Sequence, residues 1–476
     1  MFLVLNSLTN VSCPLGRQAC QQRLASQYLW IAGIRPVFPY KTFLACVGLF
    51  VLLAVTPSHG WKSASTHLKE IINHYDAIET QSIDLVQWKT HTNDQGSVSW
   101  NTSYLLSSYV DMYEVTSNRK YLDKFVELAN PLVDGTDANR GLADYKGRKR
   151  IGWGSVAYSE KGQRVIWLVH TGMITYPLLR FAYVVIRNHK VRDLLTTARK
   201  YQSVSESALG EFDGQWRYDP KDAEGFYLFE SDQPLDNGVA GPDLPQPLNM
   251  QLAAGRSFLI LAKITSNQDY LQKAHGLAKL LRSRLVREGS GGYSWTYWFG
   301  KGLSRSSVLE DVSHGAIDVE FAVLAEQNSI VFTPDDLKPF VATFLDRWGR
   351  AQSSMATGVG KGTAEFKAGE RNALDRWAPL SEVSCRVYDV LYADLMARIG
   401  RQDAQVLLGI AQLATYARKC AAASLLAKRS VSPYLRLAQT NGFKVLGEAS
   451  AVGRPLRSRQ ATGIRSHLAI LHPFFC

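Results

Sequence analysis

The sequence has no GxGxxG, no GxxxxGK[ST], no HExxH, and no GxSxG between a strand and a helix. Nucleotide-binding, zinc-protease and α/β-hydrolase chemistries depend on those spacings, so none of them has a footing here. The string GVGKGT at 358–363 imitates a phosphate loop but lacks the first glycine at the required distance and follows no strand pattern. Cysteine is scarce, with six in 476 residues and no CxxC. Cys13, Cys20 and Cys46 lie in the N-terminal leader, which leaves Cys385, Cys420 and Cys476. An odd trio of this kind predicts neither a zinc site nor a disulfide framework, and the fold is expected to rest on its apolar core.

Acidic residues are almost missing from the two ends. Residues 1–60 carry Arg17, Arg23, Arg35 and Lys41 and no acid, while 417–476 carry ten Lys or Arg against Glu448 alone. The formal charge of +12 therefore belongs to the termini, and 61–416 is close to neutral. That distribution argues against nucleic acid as a partner of the body of the chain. Lys41 precedes the apolar run Phe43–Val55, which is followed by TPSHGW. A basic flank, 13 apolar residues and then small or turn residues read as a secretory signal ending near 58–60. Export to the exterior or periplasm follows, with no stable membrane association once the signal is removed. A short membrane anchor is the other reading of the same run.

What the chain does have is repetition. TSNRKYLDKFVELAN (116–130) and TSNQDYLQKAHGLAK (265–279) share TSN followed by Tyr-Leu-x-Lys, and a helical pattern precedes each. Each unit reads as a helix, a polar turn that caps the next helix, and an amphipathic second helix. Similar pairs occur at 172–209, 318–349 and 382–415, and another is expected near 62–90. Five to seven helical hairpins separated by irregular insertions of unequal length predict an all-α chain closed into an α/α toroid rather than an open solenoid. The organisation expected is a leader at 1–60, a toroid at 61–416 and a basic extension at 417–476.

Four junctions share one layout, in which a polar or aromatic loop runs into the start of an apolar helix. They carry His170; Asn249, Gln251 and Arg256; Tyr293 to His314; and Arg371, Asn372 and Trp377. If those helices form the inner ring, their starts converge on one end of the barrel. His170 reads equally as a buried histidine or a site residue. Arg256 on an apolar helix needs an anion, either Glu310 or a substrate acid. In YSWTYWF, strand alternation places Tyr293, Trp295 and Tyr297 on one face, as a core strand or as a sugar platform. Ser313 suits the cap of the helix that carries His314.

The strings LNMQLAAGRSFLILAKITSNQDYLQKA, YSWTYWF and EDVSHGAIDVEFAVLA resemble secreted α/α-toroid lyases of uronic-acid polysaccharides, with glucuronan and alginate lyases as examples. Carbon-5 uronate epimerases share the chemistry. The resemblance covers roughly 100–416 and implies metal-independent β-elimination with no cofactor. Tyr297, or else Tyr293, would be the acid–base residue, assisted by His314 and His170. Asn249, Gln251, Arg256 and Glu310 would bind an anionic polysaccharide, with Trp295 and Trp153 stacked on sugar rings. Two rivals remain open. One is a glycoside hydrolase pairing Glu310 or Asp311 with Glu230 or Asp232; the other is a non-catalytic glycan-binding protein.

Overall fold

The computed structural model describes residues 59–236, 238–299, 308–348, 359, 370–398 and 404–420. The leader with its apolar run, the GVGKGT string apart from Val359, and the extension beyond 420 lie outside the described residues. Helices alternate between an outer and an inner position along the chain. The outer ones are α1 (His59–Ser82), α3 (Lys120–Asp134), α5 (Leu195–Gly210), α7 (Gln268–Arg284), α9 (Pro334–Trp348) and α10 (Cys385–Met396). The inner ones are α2 (Ser103–Thr116), α4 (Leu168–Arg187), α6 (Leu248–Thr265), α8 (Val312–Gln327), a tightly wound segment Glu370–Glu382, and α11 (404–420).

Composition decides which helices go inside. In α2, α4, α6 and α8 most residues are buried, whereas α7 keeps a charged outer face. A helix apolar all round is stable only when neighbours cover its whole circumference, and an amphipathic one covers it from outside. Helix α4 is long and apolar enough to cross a membrane, and here it is an inner helix of the barrel. It packs tightly on α6 at Gly172, where a Cβ would fall 2.4 Å from the Ala254 nitrogen. Beside that crossing, Thr175 and Ser257 share a hydrogen bond of 2.8 Å.

The ring closes. On the outside, Tyr75 of α1 packs against Tyr121 of α3, and His67 of α1 bonds Tyr388 of α10 at 2.8 Å. On the inside, Arg376 reaches from the segment Glu370–Glu382 to Tyr104 of α2 at 2.6 Å. The inner helices run parallel and in register: Asp111, Tyr176, Arg256, Glu320 and Gln412 are each the ninth residue of their helix. At 1.5 Å per residue they form a polar level about 12 Å below the helix starts. The chain is therefore an all-α protein with the closed α/α-toroid architecture expected from its repeats.

The two TSN motifs adopt one conformation. Ser117 and Ser266 take left-handed backbone angles (φ 57° and 58°), and the preceding threonines accept the amides of Asn118 and Asn267. Each asparagine side chain then accepts an amide of the outer helix that follows. Insertions form three two-stranded antiparallel hairpins: β1 (Trp216–Asp219) with β2 (Glu224–Tyr227), β3 (Pro234–Leu235) with β4 (Gly238–Val239), and β5 (Val286–Arg287) with β6 (Tyr293–Ser294).

One expectation fails. Cys385 and Cys420 form a disulfide that ties the start of α10 to the end of α11. Sequence spacing does not show this, because the hairpin fold brings two residues 35 apart side by side.

Candidate active site at the starts of the inner helices

The stretch from Tyr293 to Asp318 builds the centre of the site. After the short strand β6 the chain makes an antiparallel bridge between Thr296 and Leu309 and then enters α8 through Glu310 and Asp311. Asp311, not Ser313, caps the helix: its Oδ1 accepts the amides of Ser313 at 2.7 Å and His314 at 2.9 Å. Its Oδ2 lies 2.6 Å from Nδ1 of His314. Burial works against the charge of Asp311, but the His314 imidazole and the two amides outweigh it and hold the carboxyl down to about 2. An ionised oxygen can only accept, so Nδ1 carries the hydrogen, and in the neutral ring Nε2 is left as a lone pair. The ring of Tyr297 lies 5.3 Å from that of His314, and both side chains are partly exposed. One-sided solvent access, a fixed imidazole tautomer and an adjacent phenol together suit proton transfer to and from a bound substrate.

Beneath this dyad lies a second acid pair. Glu310 and Asp318 are wholly buried, and Asp318 accepts the Trp295 indole N–H at 2.8 Å. Oε2 of Glu310 and Oδ1 of Asp318 have no donor among the described residues. Burial raises Asp318 to about 7, only partly offset by the indole, and raises Glu310 well above the usual carboxylate range with the charge of Asp318 adding to the effect. One proton held between the two carboxyls would relieve both the repulsion and the missing donor. In the unfolded chain both groups ionise near pH 4. The fold keeps protons that the unfolded chain has already released, so this pair's share of stability is complete below about pH 4 and is lost as pH rises toward 7. Asp318→Asn keeps an acceptor for the indole and supplies a permanent donor to Glu310. Its melting temperature is expected to exceed that of the wild type at pH 8 and to fall less between pH 4 and 8. Parallel melting curves across that range would count against the shared proton.

The other sequence-chosen residues divide between site and core. Asn249 sits next to the mouth, since the preceding Leu248 amide bonds the Tyr297 carbonyl at 3.1 Å; it is buried and its Oδ1 has no donor among the described residues. Gln251 is a clamp: it accepts the Tyr227 amide and donates to the Gln246 carbonyl, fixing the β2 loop to α6. Arg256 pairs with Glu320 and lies 4.5 Å over the Tyr176 ring, so its anion is neither Glu310 nor a free substrate group. His170 is 1% exposed, accepts from Asn93 at Nδ1 (3.1 Å), and burial lowers its pKa to about 3, so it stays neutral.

The shared aromatic face does not form. Tyr293 packs against Phe340 of α9 and under Arg287. Trp295 is buried between Phe340 and Trp377, and Trp153 is buried with its indole on the Leu132 carbonyl, so neither offers a free face to a sugar. The strand is too short for alternation to set side-chain directions beyond its second residue. Glu230 is held down to about 2 because Lys146, Arg148 and Tyr145 outweigh its burial, and Asp232 is largely exposed beside Lys146. Neither is poised to hold a proton. Arg376, which the sequence reading passed over, lies under the site: it is buried and bonds Tyr104 and Ser313. An arginine beside Trp377 inside an otherwise buried helical run was the available signal. Glu310, Asp311 and His314 bring ligand atoms within 4.8 Å of one another, and this is the described trio that could hold a divalent cation.

No family model and no curated protein matches the chain. It is similar in structure to an inactive variant of an α-1,6-mannanase of Salegentibacter sp. HEL1_6 in complex with mannotriose, at 13% identity, over 76% of this chain and 99% of that one, with a TM-score of 0.45. A D-mannose isomerase matches at 11% identity over 76% and 99%, with a TM-score of 0.43. Cellobiose 2-epimerase from Spirochaeta thermophila matches at 13% identity over 62% and 73%, with a TM-score of 0.39.

Proposed function

We propose that the chain is a carbohydrate-active enzyme whose reaction is run by proton transfer at the starts of its inner helices, with Asp311, His314 and Tyr297 as the working groups. The observation that supports this most is the Asp311–His314 contact, which in the neutral ring fixes the hydrogen on Nδ1 and the basic lone pair on Nε2, with a tyrosine beside the partly exposed ring. In β-elimination or epimerisation of a uronate, His314 would take the proton from the sugar carbon next to the carboxylate. Tyr297 would return a proton to the leaving oxygen or to the opposite face. Glycoside hydrolysis is the second reading, supported by carboxyls held in opposite states: Asp311 ionised, and Glu310 with Asp318 holding a proton. Glu310 is fully buried, so this route needs the 308–311 turn to move. The substrate we propose is a polysaccharide, uronate-containing for the first reading. The Cys385–Cys420 bridge supports an exported enzyme, because such bonds persist in oxidising compartments.

The purified protein incubated with uronate and neutral polysaccharides separates these readings. Ultraviolet absorbance from an unsaturated product means elimination, and new reducing ends without it mean hydrolysis. Tyr297→Phe is expected to reduce kcat by about 10²–10⁴-fold with an unchanged melting curve. A variant that turns over at the wild-type rate removes Tyr297 from the mechanism.

A further inference from the structure

Around the polar level on the barrel axis lies a cavity of ≈ 20 Å³, lined by residues of all six inner segments, among them Arg180, Arg256, Glu320, Arg376 and Gln412. That is room for water or a small ion. Its cations are unevenly compensated. Arg180 is held by Asp111 at 2.7 Å and Glu114 at 2.5 Å, and Arg256 by Glu320. Arg376, only 6% exposed, has neutral partners: the Tyr104 hydroxyl at 2.6 Å, the Ser313 hydroxyl at 2.7 Å, and the Tyr104 ring 4.9 Å away. Among the described residues no carboxylate pairs with it. In addition, Nε of Arg256 and Nε of Arg376 are both buried without an acceptor.

A buried cation without a counter-ion is costly, and such charges are paired in folded proteins. A water molecule in the cavity could accept a hydrogen bond but would leave the charge in place. An anion of similar size does both. The structure assigns the axial cavity to a small monovalent anion of halide size, held by Arg376 and Arg256. The cavity adjoins the reaction centre through the Arg376–Ser313 bond, but the assignment stands whether the enzyme eliminates or hydrolyses.

Two measurements test it. In thermal melts at equal ionic strength, chloride and bromide should raise the melting temperature by about 3 °C over gluconate, an anion too large for the cavity. Arg376→Met and Arg376→Gln should lose that difference and melt no lower than the wild type in gluconate, because each removes an uncompensated buried charge. Equal melting of the wild type in the three salts overturns the assignment, and so does a halide shift that survives in both variants. Should neither variant fold, crystals soaked in bromide decide: an anomalous peak between Arg256 and Arg376 supports the site, and a water or nothing there refutes it.

Discussion

Asp311→Asn is expected to lower kcat/KM by about 10³–10⁴-fold while the barrel stays folded. The two oxygens of Asp311 do separate jobs, and the amide preserves only one of them. Its Oδ1 can still accept the Ser313 and His314 amides, since asparagine caps helices as well as aspartate does. The NH2 group that replaces Oδ2 cannot accept from Nδ1 of His314, so the ring must move its hydrogen to Nε2 and present a donor where the proposed reaction needs a base. Asp311→Ala removes both functions and is expected to cost about 1 kcal/mol of stability in addition to the activity. Steady-state kinetics with a urea melt of each variant distinguishes cap from dyad. Near-normal turnover by Asp311→Asn would leave Asp311 as a helix cap and nothing more.

Breaking the Cys385–Cys420 bridge is the largest expected change in stability. Closing a loop of 35 residues restricts the unfolded chain by about 4 kcal/mol at 25 °C. The Cys385→Ala, Cys420→Ala double variant should therefore unfold at a clearly lower urea concentration, and its losses should begin in α11. That helix closes the inner ring with Leu408 and Gln412 on the cavity, so protease cleavage near its end should precede global unfolding. A non-reducing peptide map that finds both thiols free would show that the bond does not form in the protein's own compartment, and would remove this support for export.

The helices were readable because their causes are local. The TSN turns at 116–118 and 265–267 and the Thr333–Asp336 contact at the start of α9 involve residues within a few positions of one another. The junction carrying Tyr297 and His314 was also readable, as a loop entering an apolar helix. The details that decide its chemistry were not. Ser313 and Asp311 are both good caps by residue type, and only the turn after Leu309 places the Asp311 carboxylate over the helix start. Strand alternation offers Trp295 as a sugar platform because its indole's partner, Asp318, is invisible to it, and the resemblance alone puts Trp153 on a sugar ring, where the fold instead ties its indole to the Leu132 carbonyl.

Amphipathic period and turn chemistry thus settle that this chain makes helical hairpins, and which residues bound them. Closure of the ring settles the remainder. It brings Asp111, Tyr176, Arg256, Glu320 and Gln412 to one level although they are spread over some three hundred residues, and it pairs Arg256 with Glu320 while giving Arg376 no carboxylate among the described residues. Whether a buried charge has a partner depends on distances across the barrel, and these exist only once all the inner helices have packed.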